Sequence, residues 1–239
     1  MRSLMRTLLV FVFLLMGLGP SNPTHAQERL TSVALSGAFN TSSKLFHHPN
    51  DPDDFIRSQF LPLNNIPSAG IDVRHTFEPL HLSLGISLEY ITKNESFTLS
   101  VSESQLIPVK DGFTVIPLEL SGYIPIPVGN DRIQVYMGGG AGAYFGSRHH
   151  SRGSATAPTA DRKIGYGIHV LSGLEYVVQS DFLLRIELKF RDVQFETINR
   201  FEQTSTIYAG SVVPLEQTPL NSRINIDGMT FSVGVAFRF

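Results

Sequence analysis

The chain has 239 residues, of which 17% are charged and 42% hydrophobic, with 20 glycines and no cysteine. Its formal net charge is −2, which gives no reason to expect nucleic acid as a partner. The absence of cysteine excludes a disulfide scaffold and thiol chemistry. The charged fraction lies below the roughly 25% of soluble domains although the chain is not very hydrophobic, so many of its positions are filled by small neutral residues.

The first 26 residues predict a secretory signal peptide. Arg2 and Arg6 precede an eleven-residue apolar run at 8–18, and residues 24–26 offer a cleavage site before Gln27. Eleven residues span about 16 Å as a helix, roughly half of the hydrocarbon core of a bilayer. We therefore expect residues 1–26 to be removed and residues 27–239 to form one domain, whose net charge is −4 without the two arginines.

Alternation of apolar and polar residues then predicts eight strands in chain order. The pattern is strictest at 184–191, where apolar residues alternate with charged ones that a strand places on one face. Pro117 predicts a local defect or bulge in the fourth strand, because proline cannot donate a ladder hydrogen bond. The predicted strands are 31–40, 69–78, 80–91, 112–124, 132–146, 163–178, 182–195 and 226–239.

The connections between these strands alternate in length. Short connections at 78–80, 125–131 and 179–181 contain turn residues and predict hairpins. Long, polar connections rich in Pro, Ser, Thr, Asn and Asp occur at 41–68, 92–111, 147–162 and 196–225. The alternation places all four long loops at one end of an up-and-down meander.

Alternation alone leaves two architectures open. A soluble, lipocalin-like barrel would bury the apolar face, whereas a membrane barrel would turn it to lipid and line its lumen with the charges. The membrane barrel is favoured because the polar face is rich in Gly, Ala and Ser, because the apolar strand cores carry no charge, and because the charges on the polar face balance. We expect a structural ionic network in the lumen, formed by Asp72, Arg74, Glu89, Glu119, Glu175, Arg185, Glu187, Lys189, Arg191 and Arg238.

The end of the chain resembles the C-terminal signature of bacterial outer-membrane barrels, in which alternating hydrophobic residues end in phenylalanine. The segment 115–123 also resembles a recurrent strand of the outer membrane protein beta-barrel domain, and the whole chain resembles the small OmpA/OmpX-type barrels. The resemblance implies an all-β, eight-stranded antiparallel transmembrane barrel in the outer membrane, with short periplasmic turns and four long extracellular loops. It also implies contact with outer-membrane lipids and recognition by the barrel-assembly machinery through Phe231, Val233, Val235, Phe237 and Phe239.

Tryptophan is absent, so tyrosine and phenylalanine would have to form the aromatic belts at the two membrane interfaces. At the loop end we expect Tyr90, Phe113, Phe145 and Tyr166. At the turn end we expect Phe77, Tyr176, Phe182 and Phe239.

The residues suggest little chemistry. Small barrels include lipid A-modifying enzymes that use a His-x-Ser pair, and His81 and Ser83 have that spacing, but they lie at the turn end of a strand. His47, His48, His149 and His150 lie in predicted loops at the same barrel end and leave a metal site open. We expect no enzyme, cofactor or metal, and a structural or surface-interaction role through the loops with an unknown ligand. A small pore and a lipid A-modifying enzyme are the alternatives.

Overall fold

The computed structural model describes residues 30–102, 105–130 and 132–239, so the predicted leader at 1–26 lies outside the described residues. Within these ranges, no helix is long and apolar enough to cross a membrane. The only described α-helix is the short α1, Asp54–Ser58, and a 3-10 turn spans Glu78–Leu80. The strands are β1 (Thr31–Phe46), β2 (Phe60–Phe77), β3 (Leu82–Ser102), β4 (Gln105–Asn130), β5 (Ile133–Arg152), β6 (Ala155–Ala157), β7 (Thr159–Arg162), β8 (Gly165–Gln179), β9 (Phe182–Asn199), β10 (Ser205–Tyr208), β11 (Ser211–Pro214), β12 (Leu220–Ile226) and β13 (Met229–Arg238).

The long strands close into one antiparallel ring of about eight strands. Neighbours in the ring follow the order β1, β2, β3, β4, β5, β8, β9 and β13, and β1 pairs with both β2 and β13. After a break at Asp227 and Gly228, β12 extends the last strand upward by pairing with β1 and β9. The prediction of an eight-stranded up-and-down barrel is therefore confirmed.

The strands run well beyond their predicted ends, which corrects the extent of the four long loops. Nearly all of 92–111 is strand, because β3 ends at Ser102 and β4 begins at Gln105. The segment 41–68 contributes the end of β1, helix α1 and the start of β2. The segments 147–162 and 196–225 contain β6, β7, the β10–β11 hairpin and most of β12.

These extensions were missed because the apolar face changes sides part of the way up the barrel. In β9 the apolar residues from Leu184 to Phe190 face outward, whereas Val193 and Phe195 are apolar and face inward. In β2 the change coincides with Asn65, whose φ of 57° lies in the left-handed region that asparagine tolerates. We call the part at and below the level of Phe190 the membrane half, and the part above it, which carries β6, β7, β10, β11 and β12, the distal half.

Pro117 interrupts the ladder as predicted. The β3–β4 pairing passes from Leu88 opposite Leu118 to Ile91 opposite Val115, with no pair recorded between them, and the register does not shift there. The defect is therefore an unpaired step and not a bulge. On its other side, Pro117 still lies opposite Tyr144 of β5.

Candidate functional site

The outer wall of the membrane half is apolar. Leu35, Ile86, Ile186 and Val233 are each more than half exposed, although they lie in the middle of strands. Apolar surface on this scale is compatible with lipid and not with water. The membrane interpretation of the alternation is therefore confirmed, and the lipocalin-like alternative is wrong for this half.

Aromatic side chains lie at the upper edge of this apolar surface. Tyr90, Phe145 and Tyr166 are exposed on the outer wall, as the belt requires. Phe113 was expected among them, but it is fully buried inside the distal half, where its ring packs edge-on against Phe195. The expectation for Phe113 is wrong because it assumed that the apolar face stays outside along the whole of β4.

The ten charged residues expected in the lumen lie inside it, in two groups. In the lower group, Arg74 contacts Asp72 at 2.6 Å and Glu187 at 2.5 Å. The same Asp72 also contacts Arg185, which pairs with Glu175 as well, so Arg74 and Arg185 have two acid partners each. Tyr123 packs against the guanidinium of Arg74, with 3.8 Å between its ring centre and Cζ. The lower group consists of Asp72, Arg74, Glu175, Arg185, Glu187 and Arg238.

The upper group is centred on Glu119, whose side chain is 1% exposed. Arg191 donates from Nε to one carboxylate oxygen at 2.9 Å, and Lys189 contacts the other at 2.6 Å. Arg191 also contacts Glu89, and the hydroxyl of Tyr144 donates to Glu119 at 2.6 Å. Every charge of the group is paired, which is the condition under which buried ions are tolerated.

Next to the upper group, Ser121, His169 and Glu119 lie in the sequence of contacts serine, histidine, acid that hydrolase triads have. The Ser121 hydroxyl lies 2.8 Å from Nε2 of His169, and Nδ1 of His169 lies 3.9 Å from Glu119. The longer distance exceeds a hydrogen bond, and Nδ1 has no hydrogen-bond partner among the described residues. All three side chains are buried, so the arrangement has the residue types of a nucleophilic site without access for a substrate.

The enzyme candidate from the sequence is not assembled either. His81 is exposed in the turn after the 3-10 segment, with φ 46°, whereas the hydroxyl of Ser83 bonds with that of Thr76 at 2.9 Å. Both residues line a cavity of about 470 Å³ at the turn end of the lumen. The cavity ends at the lower ionic group, because Arg74, Tyr123 and Tyr136 also line it.

Above the upper ionic group, the lumen is filled by an apolar layer. Its members are fully or almost fully buried and come from seven of the strands. Between the two ionic groups, a described cavity of only about 40 Å³ remains. The layer consists of Leu45, Leu63, Ile66, Ile91, Phe113, Val115, Tyr144, Val193, Phe195, Ile224 and Ile226.

The distal half contains a third ionic cluster, which the sequence analysis missed. Asp111 is completely buried and accepts from Nε of Arg148 at 2.8 Å, and the second Nη of Arg148 contacts its other oxygen. The rings of His47 and His150 lie 3.1 Å and 3.0 Å from that same oxygen. Asp111 thereby ties the end of β1 to β4 and β5, and Arg148 reaches Ser222 of β12.

These contacts set the protonation of the cluster. Burial alone would raise the pKa of Asp111, but hydrogen bonds from Arg148, His150 and His47 outweigh it, so the pKa lies well below its ordinary value. Burial lowers the pKa of His150, and the cations of Arg148 and Arg152 act in the same direction against its bond to Asp111. Nε2 of His150 is buried without a hydrogen-bond partner in the described part of the chain.

The four histidines considered for a metal site are only partly brought together. His47 and His150 meet at Asp111, but the guanidinium of Arg148 already supplies the positive charge there. His149 bonds with Thr114 at 2.8 Å on the outer wall, and His48 has no part in the cluster. Within the described ranges, no group of three or more His, Cys, Asp and Glu side chains has a geometry that holds a metal ion.

The residues considered for an assembly signal all point outward from β13. Phe39 of β1 lies opposite Phe231, and the ring of Phe239 stacks on that of Phe237 at 6.4 Å. The backbone of Phe239 exchanges hydrogen bonds with Thr31 and so completes the closure of the ring. The five side chains are Phe231, Val233, Val235, Phe237 and Phe239, all at least 43% exposed.

A closed antiparallel ring with an apolar outer wall and a charged lumen defines the class of small eight-stranded outer-membrane β-barrels. The protein is an outer-membrane β-barrel, located in the bacterial outer membrane. No protein-family model matches the sequence, and no curated protein matches it.

Solved structures share this fold at low sequence identity. The outer membrane protein OprG from Pseudomonas aeruginosa aligns with a TM-score of 0.56 and 11% identity, over 89% of this chain and 97% of that one. The attachment invasion locus protein Ail of Yersinia pestis aligns at 0.47 and 13% identity, over 89% and 100% of the two chains. Neisserial surface protein A aligns at 0.47 and 13% identity, over 87% and 97%.

Proposed function

We propose that the protein has a structural and surface-interaction role, that its distal half faces the cell exterior, and that it is not an enzyme. The observation that carries the proposal is the filling of the barrel. Two ionic groups and an apolar layer close the lumen above the turn-end cavity, so the surfaces that the distal half offers for function are on its outside. Bilayer thickness supports the geometry, since a membrane-spanning strand needs about 9–11 residues and β4 has 26.

The β10–β11 hairpin is the part of the distal half best suited to meet a partner. Its inner face is anchored, because Val213 is buried against Ile107 of β4. On its outer face, Ile207 lies opposite Val212, and the two side chains are 71% and 68% exposed. An exposed apolar pair outside the membrane supports a role in contact with another surface.

The experiment combines orientation with binding. An epitope inserted between Ala209 and Gly210 should be labelled by antibody on intact cells. Cells carrying Ile207→Ser with Val212→Ser should then adhere or aggregate less than wild-type cells at equal surface level. Val128→Ser is the matched control, because Val128 is also an exposed apolar residue but lies at the turn end. Labelling only after the outer membrane is permeabilised would reject the orientation, and unchanged adhesion would reject the hairpin as the contact.

Each of the two alternative functions can be tested by a defined measurement. A small pore would give discrete conductance steps in planar bilayers, and the filled lumen predicts none. A lipid A-modifying enzyme would change the mass of lipid A when the protein is expressed, and no change is expected. Either positive result would replace the surface-interaction role.

We also propose that the outward residues of β13 are recognised by the barrel-assembly machinery. Phe239 supports this role, since its side chain is half exposed on the outer wall while its backbone already closes the ring. Phe239→Ala should lower the yield in the outer membrane more than the refolding yield in detergent. Equal losses would make Phe239 a stability residue alone.

A further inference from the structure

We infer that one outer wall of the distal half binds the sugar portion of the outer-leaflet glycolipid that surrounds the barrel. The wall is formed by β9, β12, β1 and β2, and we call it the glycan wall. Its key residues lie in one cross-strand row. The row runs through Glu196, Arg223, Phe46 and Phe60.

The row carries an aromatic platform. Phe46 and Phe60 pack with ring centres 5.4 Å apart, and Phe60 remains 43% exposed to the outside. Aromatic rings on this wall cannot be explained by lipid contact, because they lie far above the apolar belt. Phe46 is seven residues beyond Phe39, which corresponds to roughly 18 Å of height for a strand tilted by about 40°.

Polar groups flank the platform on both sides. The guanidinium of Arg223 lies 5.4 Å from the ring centre of Phe46, and it makes no ion pair within the described part of the chain. Lys44 lies 5.8 Å from the ring centre of Phe60 and pairs with Asp227 at 2.6 Å. Cationic donors and a carboxylate around exposed rings suit a ligand that has both apolar C–H faces and hydroxyl groups.

A polar cavity extends the row beyond Glu196. It has a volume of about 170 Å³ and lies between residues 49–50, β7, β9 and β12. Lys163 and Glu196 line it and pair with each other at 2.7 Å, and Asn50 and Asn221 add amide groups. Donors and acceptors that alternate in this way match sugar hydroxyls, each of which donates and accepts.

The position of the glycan wall indicates that the bound sugar belongs to the surrounding glycolipid. Directly below it, Phe39, Phe231 and Met229 belong to the apolar wall that lipid tails cover. The surface above a lipid-covered wall faces the headgroup of the same lipid, so the glycan wall continues an existing interface. On the wall of β4 and β5 in the distal half, the outward residues Lys110, Thr114, His149 and Ser151 form no aromatic platform.

The inference rests on the proposed orientation of the distal half, but not on the partner of the β10–β11 hairpin. It is tested with full-length protein in detergent and two probes, purified lipopolysaccharide that carries its core oligosaccharide and the matching lipid A without it. Wild-type protein should prefer the core-bearing glycolipid. Phe46→Ser with Phe60→Ser should reduce that preference about tenfold, the loss expected from stacking contacts worth roughly 1.4 kcal/mol.

Phe55→Ser is the control, because Phe55 is an exposed phenylalanine on α1 away from the row, 72% exposed against 43% for Phe60. Its preference should equal that of wild type. If the double variant does not fold, Phe60→Leu and Arg223→Gln replace it, since they keep the apolar cover or the size of the side chain. Equal binding of both glycolipids by wild type would overturn the inference, as would an unchanged preference in the wall variants. Failure here with surface labelling of the hairpin intact would leave the proposed function in place.

Discussion

The two halves of the barrel place their apolar residues on opposite faces of the wall, outward in the membrane half and inward in the distal half. In the membrane half, Ile186 faces lipid while Arg185 lies in the lumen. In the distal half of the same strand, Phe195 lies inside while Gln194 faces outward. One β-strand crosses both halves without a change of register, so the solvent outside each half determines which alternate positions are apolar. The comparison teaches that a ring of long strands can continue a membrane barrel as a water-soluble one.

The halves also stabilise their buried charges differently. In the lumen of the membrane half, ten charged groups share their partners in two networks. In the distal half, the single carboxylate of Asp111 is surrounded by one arginine and two histidines within a largely apolar interior. Removing a partner should therefore be more damaging in the distal half, where no second acid compensates.

The largest effect is expected at Asp111. Asp111→Ala leaves the buried guanidinium of Arg148 without an acid and should cost about 3–5 kcal/mol of unfolding free energy. The double variant Asp111→Leu with Arg148→Met removes both charges and should recover most of that loss. The measurement is denaturant unfolding in detergent. A double variant no more stable than Asp111→Ala would contradict the account of Arg148 as the unpaired charge.

An effect of intermediate size is expected when an arginine is placed on the outer wall of the membrane half and on that of the distal half. Ile186→Arg should cost about 2–4 kcal/mol in a lipid bilayer if Ile186 lies near the midplane. Gln194→Arg on the same face of the same strand should stay within about 0.5 kcal/mol of wild type, because its side chain faces water. Refolding titrations into vesicles measure both variants. Equal costs would mean that the apolar wall extends past Phe190 and that the boundary between the halves is misplaced.

The smallest effect is a pH dependence that arises at His150 in the distal half. Because the folded-state pKa of His150 is lowered, the fold favours the neutral ring, and its stability is lost as pH falls below the ordinary histidine value of about 6.5. The groups that face the ring are Asp111, Arg148 and Arg152. Asp111 adds no slope between pH 5.5 and 7.5, about two units above ordinary aspartate values, because it is ionised there in both states.

The control for this prediction is His150→Gln, which can still donate to Asp111 but does not titrate. Thermal unfolding at pH 5.5 and 7.5 should show a larger drop in Tm for wild type than for the variant. A drop of equal size in both proteins would assign the pH dependence to another group.

The sequence predicted the membrane half well because one rule applies there without interruption. Lipid excludes charge from every outward position, so residues such as Ile186 and Val233 alternate strictly with small or charged ones. The ten lumen residues follow from that parity alone. Their pairing does not, because strand pairs fix which residues lie level, while ion pairs such as Arg74 with Glu187 reach across the lumen.

The distal half was harder to predict, since its outward residues are polar and resemble a loop. In β4, Lys110 and Thr114 face outward and Val109, Phe113 and Val115 face inward, which is the alternation of a soluble strand. The sequence signal for this half is a change in which of the alternating positions along a strand are apolar. The cluster at Asp111 carries no local signal, because His47, Asp111 and His150 are far apart in sequence and the closure of the ring brings them together.

The continuity of β3 and β4 has a mechanical consequence. These strands run with 21 and 26 residues from the turn end to the far tip of the barrel. A pull on the tip acts along the strands, so it loads many ladder hydrogen bonds in parallel, in shear, and does not peel them apart one at a time. The force then passes into the ring through neighbours on both sides, β2 and β5. An object attached to the tip would be held by the whole wall of the barrel, and the unpaired step at Pro117 is a place where the β3–β4 pairing has fewer hydrogen bonds.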